Sequence, residues 1–235
     1  ENDFQGTAVL KVTTANVTGK TIALGTSTGK LTSATVDANL ITTGKTLTLT
    51  GSNALTLTSK DATIDASGYV GAIGATVLNA ADTTLKIGTV STTVTATGDE
   101  NGKTLTIDGT GGGTLTLADG GAVKGELTVT NLKNNLTVVD AFKGTAVLKV
   151  TTADVTGKTI ALGTSTDKLT SATVTADAIT TGKTLTLTGS NALTLTSKDA
   201  TIDASAYVGA ITNATVDNAA DTTLKIGTVS TTVTA

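Results

Sequence analysis

Residues Gly44–Ser67 read GKTLTLTGSNALTLTSKDATIDAS, and the block returns letter for letter at Gly182–Ser205. Within it threonine and leucine alternate, broken only by Gly, Ser, Asn and Lys between the runs. A period of two places Thr on one face of an extended chain and Leu on the other. A helix would need apolar residues at i, i+3, i+4 and i+7, and no window sustains that for two turns. The nearest, Ser33–Leu40, carries too many Thr and Asp residues to hold a helix. Threonine supplies 59 of the 235 residues, and its stiff β-branched side chain suits a pleated surface. The fold class is all-β.

The duplication is wider than this block. Gly6–Ala96 matches Gly144–Ala235 almost throughout. Asn16 faces Asp154, Gly29 faces Asp167, Asp37 faces Thr175, Asn39 faces Asp177 and Leu40 faces Ala178. Gly68 faces Ala206, Leu78 faces Asp217, and Gly74 is replaced by Thr212-Asn213. The chain divides into a repeat unit over residues 1–138 and a shorter one over residues 139–235. Starting at Glu1 and stopping at the counterpart of Ala96, it reads as a processed or excised piece of a longer array.

Inside one unit the apolar runs are short, from Val9–Val12 and Ile22–Leu24 to Leu127–Val129 and Leu136–Val138. Short strands at close, near-regular intervals suit a β-solenoid, with each strand stacked on the coil below, or tandem β-sandwich domains built from hairpins. Asn101-Gly102, between Val94-Thr95 and Thr104-Leu105, is a hairpin signal because Asn-Gly favours a type I′ turn. Core chemistry favours the solenoid. A sandwich interior about 10 Å thick usually holds large aromatic side chains, whereas this chain has two Phe, two Tyr and no Pro. Leu, Ile, Val and Ala fill a narrower core, and runs such as Gly111-Gly112-Gly113 and Gly120-Gly121 suit its tight bends. About 20 residues per coil predicts a rod on the order of 55 Å long.

Composition narrows the function. His, Cys, Met, Pro, Trp and Arg are absent, so the usual general base and thiol nucleophile are missing and no disulfide framework exists. A net charge of −3 without arginine offers no footprint for nucleic acid. No apolar run approaches the roughly 18 residues of a membrane-spanning helix. Gly19-Lys20-Thr21 and Gly44-Lys45-Thr46 imitate the end of a phosphate loop but lack its upstream glycine and its helix, so they read as turns. The chain is not expected to be an enzyme.

The candidate metal ligands are Asp99 and Asn101, in the oxygen-rich stretch Gly98-Asp99-Glu100-Asn101-Gly102, which suits calcium better than softer metals. Asp61 and Asp65, four apart in an extended segment, stand roughly 13 Å apart and do not share an ion. Thr46, Thr48 and Thr50 would line one face, with Thr56 and Thr58, Thr104 and Thr106, and Thr114 and Thr116 on others. Ranks of this kind can organise water and bind ice, but their uneven sequence intervals would spoil a planar lattice. Asn16-Val17-Thr18, Asn135-Leu136-Thr137 and Asn213-Ala214-Thr215 match the glycosylation pattern, as chance allows in so Thr-rich a chain.

The phrase Ile-Asp-Ala-Ser-Gly-Tyr-Val-Gly at 64–71, with its partner at 202–209, resembles one common in bacterial surface-layer proteins and giant secreted adhesins. The run Gly112–Val129 is similar to the β-helical passengers of autotransporters. The resemblance implies secretion, a place on the cell surface, and a structural role in a surface-layer lattice or fibre, or in an adhesin stalk. The partners it implies are copies or neighbouring repeats of the same protein. The chain departs from many such proteins in having no Gly-Gly-x-Gly-x-Asp calcium nonapeptide.

Overall fold

The structure, a computed structural model, describes residues 8–25, 31–78, 80–97, 103–119, 125–139, 147–164, 169, 171–217 and 220–235. In the first repeat unit the strands are β1 (Ala8–Thr13), β2 (Lys20–Ala23), β3 (Leu31–Ala38), β4 (Thr46–Thr50), β5 (Ala54–Lys60), β6 (Thr63–Asp65) and β7 (Ile73–Leu78). Then come β8 (Thr83–Lys86), β9 (Ser91–Thr97), β10 (Thr104–Asp108), β11 (Thr114–Asp119), β12 (Glu126–Leu132) and β13 (Leu136–Val138). The second unit adds β14 (Val147–Thr152), β15 (Lys158–Ala161), β16 (Ser171–Ala176), β17 (Thr184–Thr188) and β18 (Leu193–Lys198). It ends with β19 (Thr201–Ala204), β20 (Ile211–Asp217), β21 (Thr223–Ile226) and β22 (Thr231–Thr234).

Strands pair in parallel with those two places before and two places after them. All odd-numbered strands therefore form one eleven-stranded sheet and all even-numbered strands another. This is the β-solenoid. The tandem-sandwich alternative is excluded, and so is the hairpin at Asn101-Gly102: β9 pairs with β7 and β11, and β10 with β8 and β12. The strands flanking Asn101-Gly102, two residues outside the described ones, thus lie in different sheets. Eleven strands stacked at about 4.8 Å give a rod about 50 Å long, close to the length expected from coil size.

The alternation Thr-Leu-Thr-Leu is read out strand by strand. In β4, Leu47 and Leu49 are buried while Thr46, Thr48 and Thr50 are half-exposed. Inward side chains then stack like on like. Leu47, Ile64, Leu85, Ile107, Val129, Val150, Val174, Leu195 and Ala214 form one unbroken file through the even sheet. Each fully buried aliphatic side chain contributes roughly 1.5–3 kcal/mol, so a long aliphatic seam holds the rod together. Leu31–Ala38, which overlaps the weak helical window, is a strand: Ala34, Val36 and Ala38 point inward at 0% exposure.

Coil length varies without disturbing register. Val36 stacks on Val12 and Ala75 on Leu57, although the chain between the first pair is several residues longer than between the second. Turns absorb the difference. The glycine run illustrates how tightly they bend: a Cβ on Gly111 would lie 2.0 Å from the Ile87 carbonyl oxygen, and Gly112 sits at φ 89.

Among the described residues β14, the sequence counterpart of β1, comes thirteen strands after it, and thirteen is odd. Consequently β1 belongs to the odd sheet and β14 to the even one, where it pairs with β12. One repeat is thus six and a half turns of the solenoid. Equivalent residues of the two copies face opposite ways.

Candidate functional site

Asp99 and Asn101, the sequence-derived calcium ligands, lie outside the described residues, as does Gly120-Gly121. Among the described residues no group of three or more acidic side chains could hold a metal ion. Asp61 and Asp65 have separate structural tasks. Asp61, at φ 59, accepts a hydrogen bond from the Ala81 amide (2.8 Å), and Asp65 accepts two from Ser67. Lys45 closes a turn by donating its amide to Thr42 O (3.2 Å), and Gly44-Lys45-Thr46 leads into β4 rather than a helix.

The phrase 64–71 is a corner of the solenoid. Asp65 accepts from the Ser67 amide (3.1 Å) and hydroxyl (2.6 Å), turning the chain. Tyr69 then enters the core at 0% exposure and donates its hydroxyl to Asn53 O (2.8 Å), while Asn53 donates its side-chain amide to Leu24 O (3.0 Å). Gly71 must be glycine, since a Cβ there would lie 2.2 Å from Asn53 O. Three successive coils are stitched by this Leu24–Asn53–Tyr69 relay. Its twin is Leu162–Asn191–Tyr207, with bonds of 2.7 and 2.8 Å. Sequence reasoning missed the relay, although the signal was present: both tyrosines sit in the repeated phrase, and both Asn residues precede Ala-Leu-Thr-Leu.

Burial raises both phenols, Tyr69 to about 12 and Tyr207 further. Burial also pushes the Asp65 carboxyl up, but hydrogen bonds from Ser67 and the charge of Lys86 outweigh it and hold the group below its ordinary value. Asp108 behaves likewise, with Thr110 and Asn131 donating. A hydrogen bond from Lys149 is the main cause lowering Glu126.

The outer surface is organised in files. Thr46, Thr63, Thr84, Thr106, Thr128, Lys149, Thr173, Thr194 and Asn213 line up along the even sheet, strand after strand. The uneven sequence intervals therefore do not spoil the ranks, because the turns take up the slack. What interrupts them is charge. The neighbouring file runs Thr48, Asp65, Lys86, Asp108, Thr130, with Lys86 3.4 Å from Asp65, and Lys149 pairs with Glu126 at 2.5 Å. On the odd sheet an open groove of about 540 Å³ lies between Val138, Ala161, Gly163, Thr188 and Val208, with no charged residue among its lining.

No helix among the described residues is long and apolar enough to cross a membrane. No family model, curated protein or solved structure matches the chain.

Proposed function

We propose that the chain is a structural segment of a bacterial extracellular protein, a component of a surface-layer lattice or fibre rather than an enzyme. The observation that carries this reading is continuity across the repeat junction. Val129 of the first unit pairs with Val150 of the second, and Leu136 with Ile160, without a break in either sheet. Tandem copies therefore add length to one stiff body, since strand hydrogen bonds run along the rod and none has to be broken to extend it. A stalk that holds a distal domain away from the cell is the alternative role for the same rod.

Electron microscopy of the purified chain, with and without calcium, separates the two. Ordered sheets or filaments support the lattice role, and isolated rods at every concentration contradict it. Calcium-dependent assembly that is lost on Asp99→Ala would assign a metal-binding role to Asp99 and Asn101. The in-register threonine file favours a second reading, ice binding, and an absence of thermal hysteresis disposes of it.

A further inference from the structure

Each repeat is two-faced. In the first unit, from β5 onward, the central outward files of the odd sheet read Thr56, Gly74, Thr93, Thr116, Thr137 and Thr58, Thr76, Thr95, Ala118, with no charge. The opposite face of the same unit carries Asp65, Lys86, Asp108 and Glu126. In the second unit the assignment is reversed. From β16 onward the central files of the even sheet read Thr173, Thr194, Asn213 and Thr175, Thr196, Thr215, Thr234, with Lys198 and Asp217 register partners at their rim, while the odd sheet holds Asp203 and Lys225, 3.7 Å apart. The replacement of Asp37 by Thr175 clears a charge from the central files of the second unit's face, and Asp217, which stands where the first unit has Leu78, meets Lys198 at its rim.

We propose that this uncharged threonine face is the surface through which two copies of the chain meet side by side, aimed to opposite sides in successive repeats. This rests on the structural reading above and deepens it by naming the contact. Three physical points support a second copy as the occupant. The low-charge stretch of the odd sheet runs from β5 past the repeat junction to β17, ahead of Asp203 in β19, with Lys60 at one edge, and spans about 30 Å by about 20 Å, roughly 600 Å² in projection. A corrugated face buries more accessible area than its projection, which brings it near the roughly 800 Å² per partner of a stable pair. Short Thr, Ser, Ala and Gly side chains let two such faces approach closely at little cost in side-chain entropy. The charged face, in contrast, would have to strip water from ion pairs it already satisfies internally, a penalty that opposes burial.

The half-turn decides the form of the assembly. A face repeated only on one side would give closed pairs of rods. Faces alternating left and right, offset by six and a half coils or about 31 Å, join each rod to neighbours on both sides and give an open sheet.

Because the chain has no cysteine, single substitutions test this cleanly. Thr194→Cys lies on the uncharged face and Thr106→Cys on the charged one, and both native threonines are half-buried, so thiol access is matched. Under mild oxidation at high protein concentration, Thr194→Cys and Thr93→Cys are expected to yield at least tenfold more interchain dimer than Thr106→Cys. Each variant is first checked for an unchanged far-UV circular dichroism spectrum. In sedimentation velocity, the Thr56→Lys, Thr93→Lys double variant should lose association through the odd sheet and stop at pairs. Equal cross-linking from Thr106→Cys and Thr194→Cys in a chain that does associate would overturn this inference and leave the lattice reading standing. An unmodified chain that sediments as single rods at every concentration would overturn both.

Discussion

Leu85, Ile87 and Val94 in the first repeat are 1%, 0% and 0% exposed, whereas their counterparts Leu224, Ile226 and Val233 are half-buried, 45% and 50% exposed. The residues are the same and so are their local neighbours. What differs is the next coil. Leu85 is stacked against Ile107, and Val94 against Leu117, while among the described residues no later strand lies on β21 or β22. In this architecture a side chain's burial is set by the coil above and the coil below, so stability accrues by nearest-neighbour stacking rather than around one centre.

The most damaging way to probe that difference is truncation of equivalent residues. Ile87→Ala should cost about 2–5 kcal/mol in chemical denaturation, the range for a fully buried aliphatic residue. Ile226→Ala should cost under about 1 kcal/mol. Equal losses would break the comparison. The tyrosine relay predicts the opposite pattern, since Tyr69 and Tyr207 are 0% and 1% exposed and each donates at 2.8 Å. Tyr69→Phe and Tyr207→Phe should each cost about 1–2 kcal/mol, similar within error, because each orphans a buried carbonyl.

The same relay sets an alkaline limit. Both phenols have folded-state pKa values above the ordinary value of 10.0, so the folded state binds their protons more tightly than the unfolded state does. Their contribution is intact below pH 10 and is lost as pH rises toward about 12. Ultraviolet titration should show no phenolate at pH 10.5 while the fold persists, and denaturation midpoints should fall from pH 10 upward. The smallest effect is expected at one of the substitutions that distinguish the copies. Asp154 pairs with Lys183 and accepts from Thr180 on an exposed turn, and Asn16 accepts from Thr42 in the same place. Asp154→Asn should leave the denaturation midpoint unchanged within error, because exposed ion pairs contribute little.

Much of the fold was legible in the sequence because alternation, β-branched content and the scarcity of aromatics all point to a narrow stacked core. The half-turn was not. It depends on strand parity, and several strands that decide it are very short, such as Thr63–Asp65 and Leu136–Val138. Leu31–Ala38 hides because its inward residues are Ala34, Val36 and Ala38, too small and too interleaved with Ser, Thr and Asp to stand out as an apolar run. Asn101-Gly102 misleads because turn preference is local, whereas the choice between a hairpin and a crossover is made by stacking on the previous coil. The corner residues Asp65, Tyr69 and Gly71 were visible as a repeated phrase. Their tasks emerge only when Leu24, Asn53 and Tyr69, far apart in sequence, are brought into contact on successive coils.

The central claim is that β14 stacks on β12, which inverts the second repeat relative to the first. Disulfide trapping across the junction tests it most directly, because parallel neighbours in register bring two side chains within disulfide reach. Thr128 and Lys149 are register partners, so the double variant Thr128→Cys, Lys149→Cys should oxidise within one chain to a faster-migrating species. The control Thr137→Cys, Lys149→Cys joins opposite faces and should not. Rapid intrachain closure of the control, with none at 128 and 149, would place β14 on β13 and contradict the half-turn.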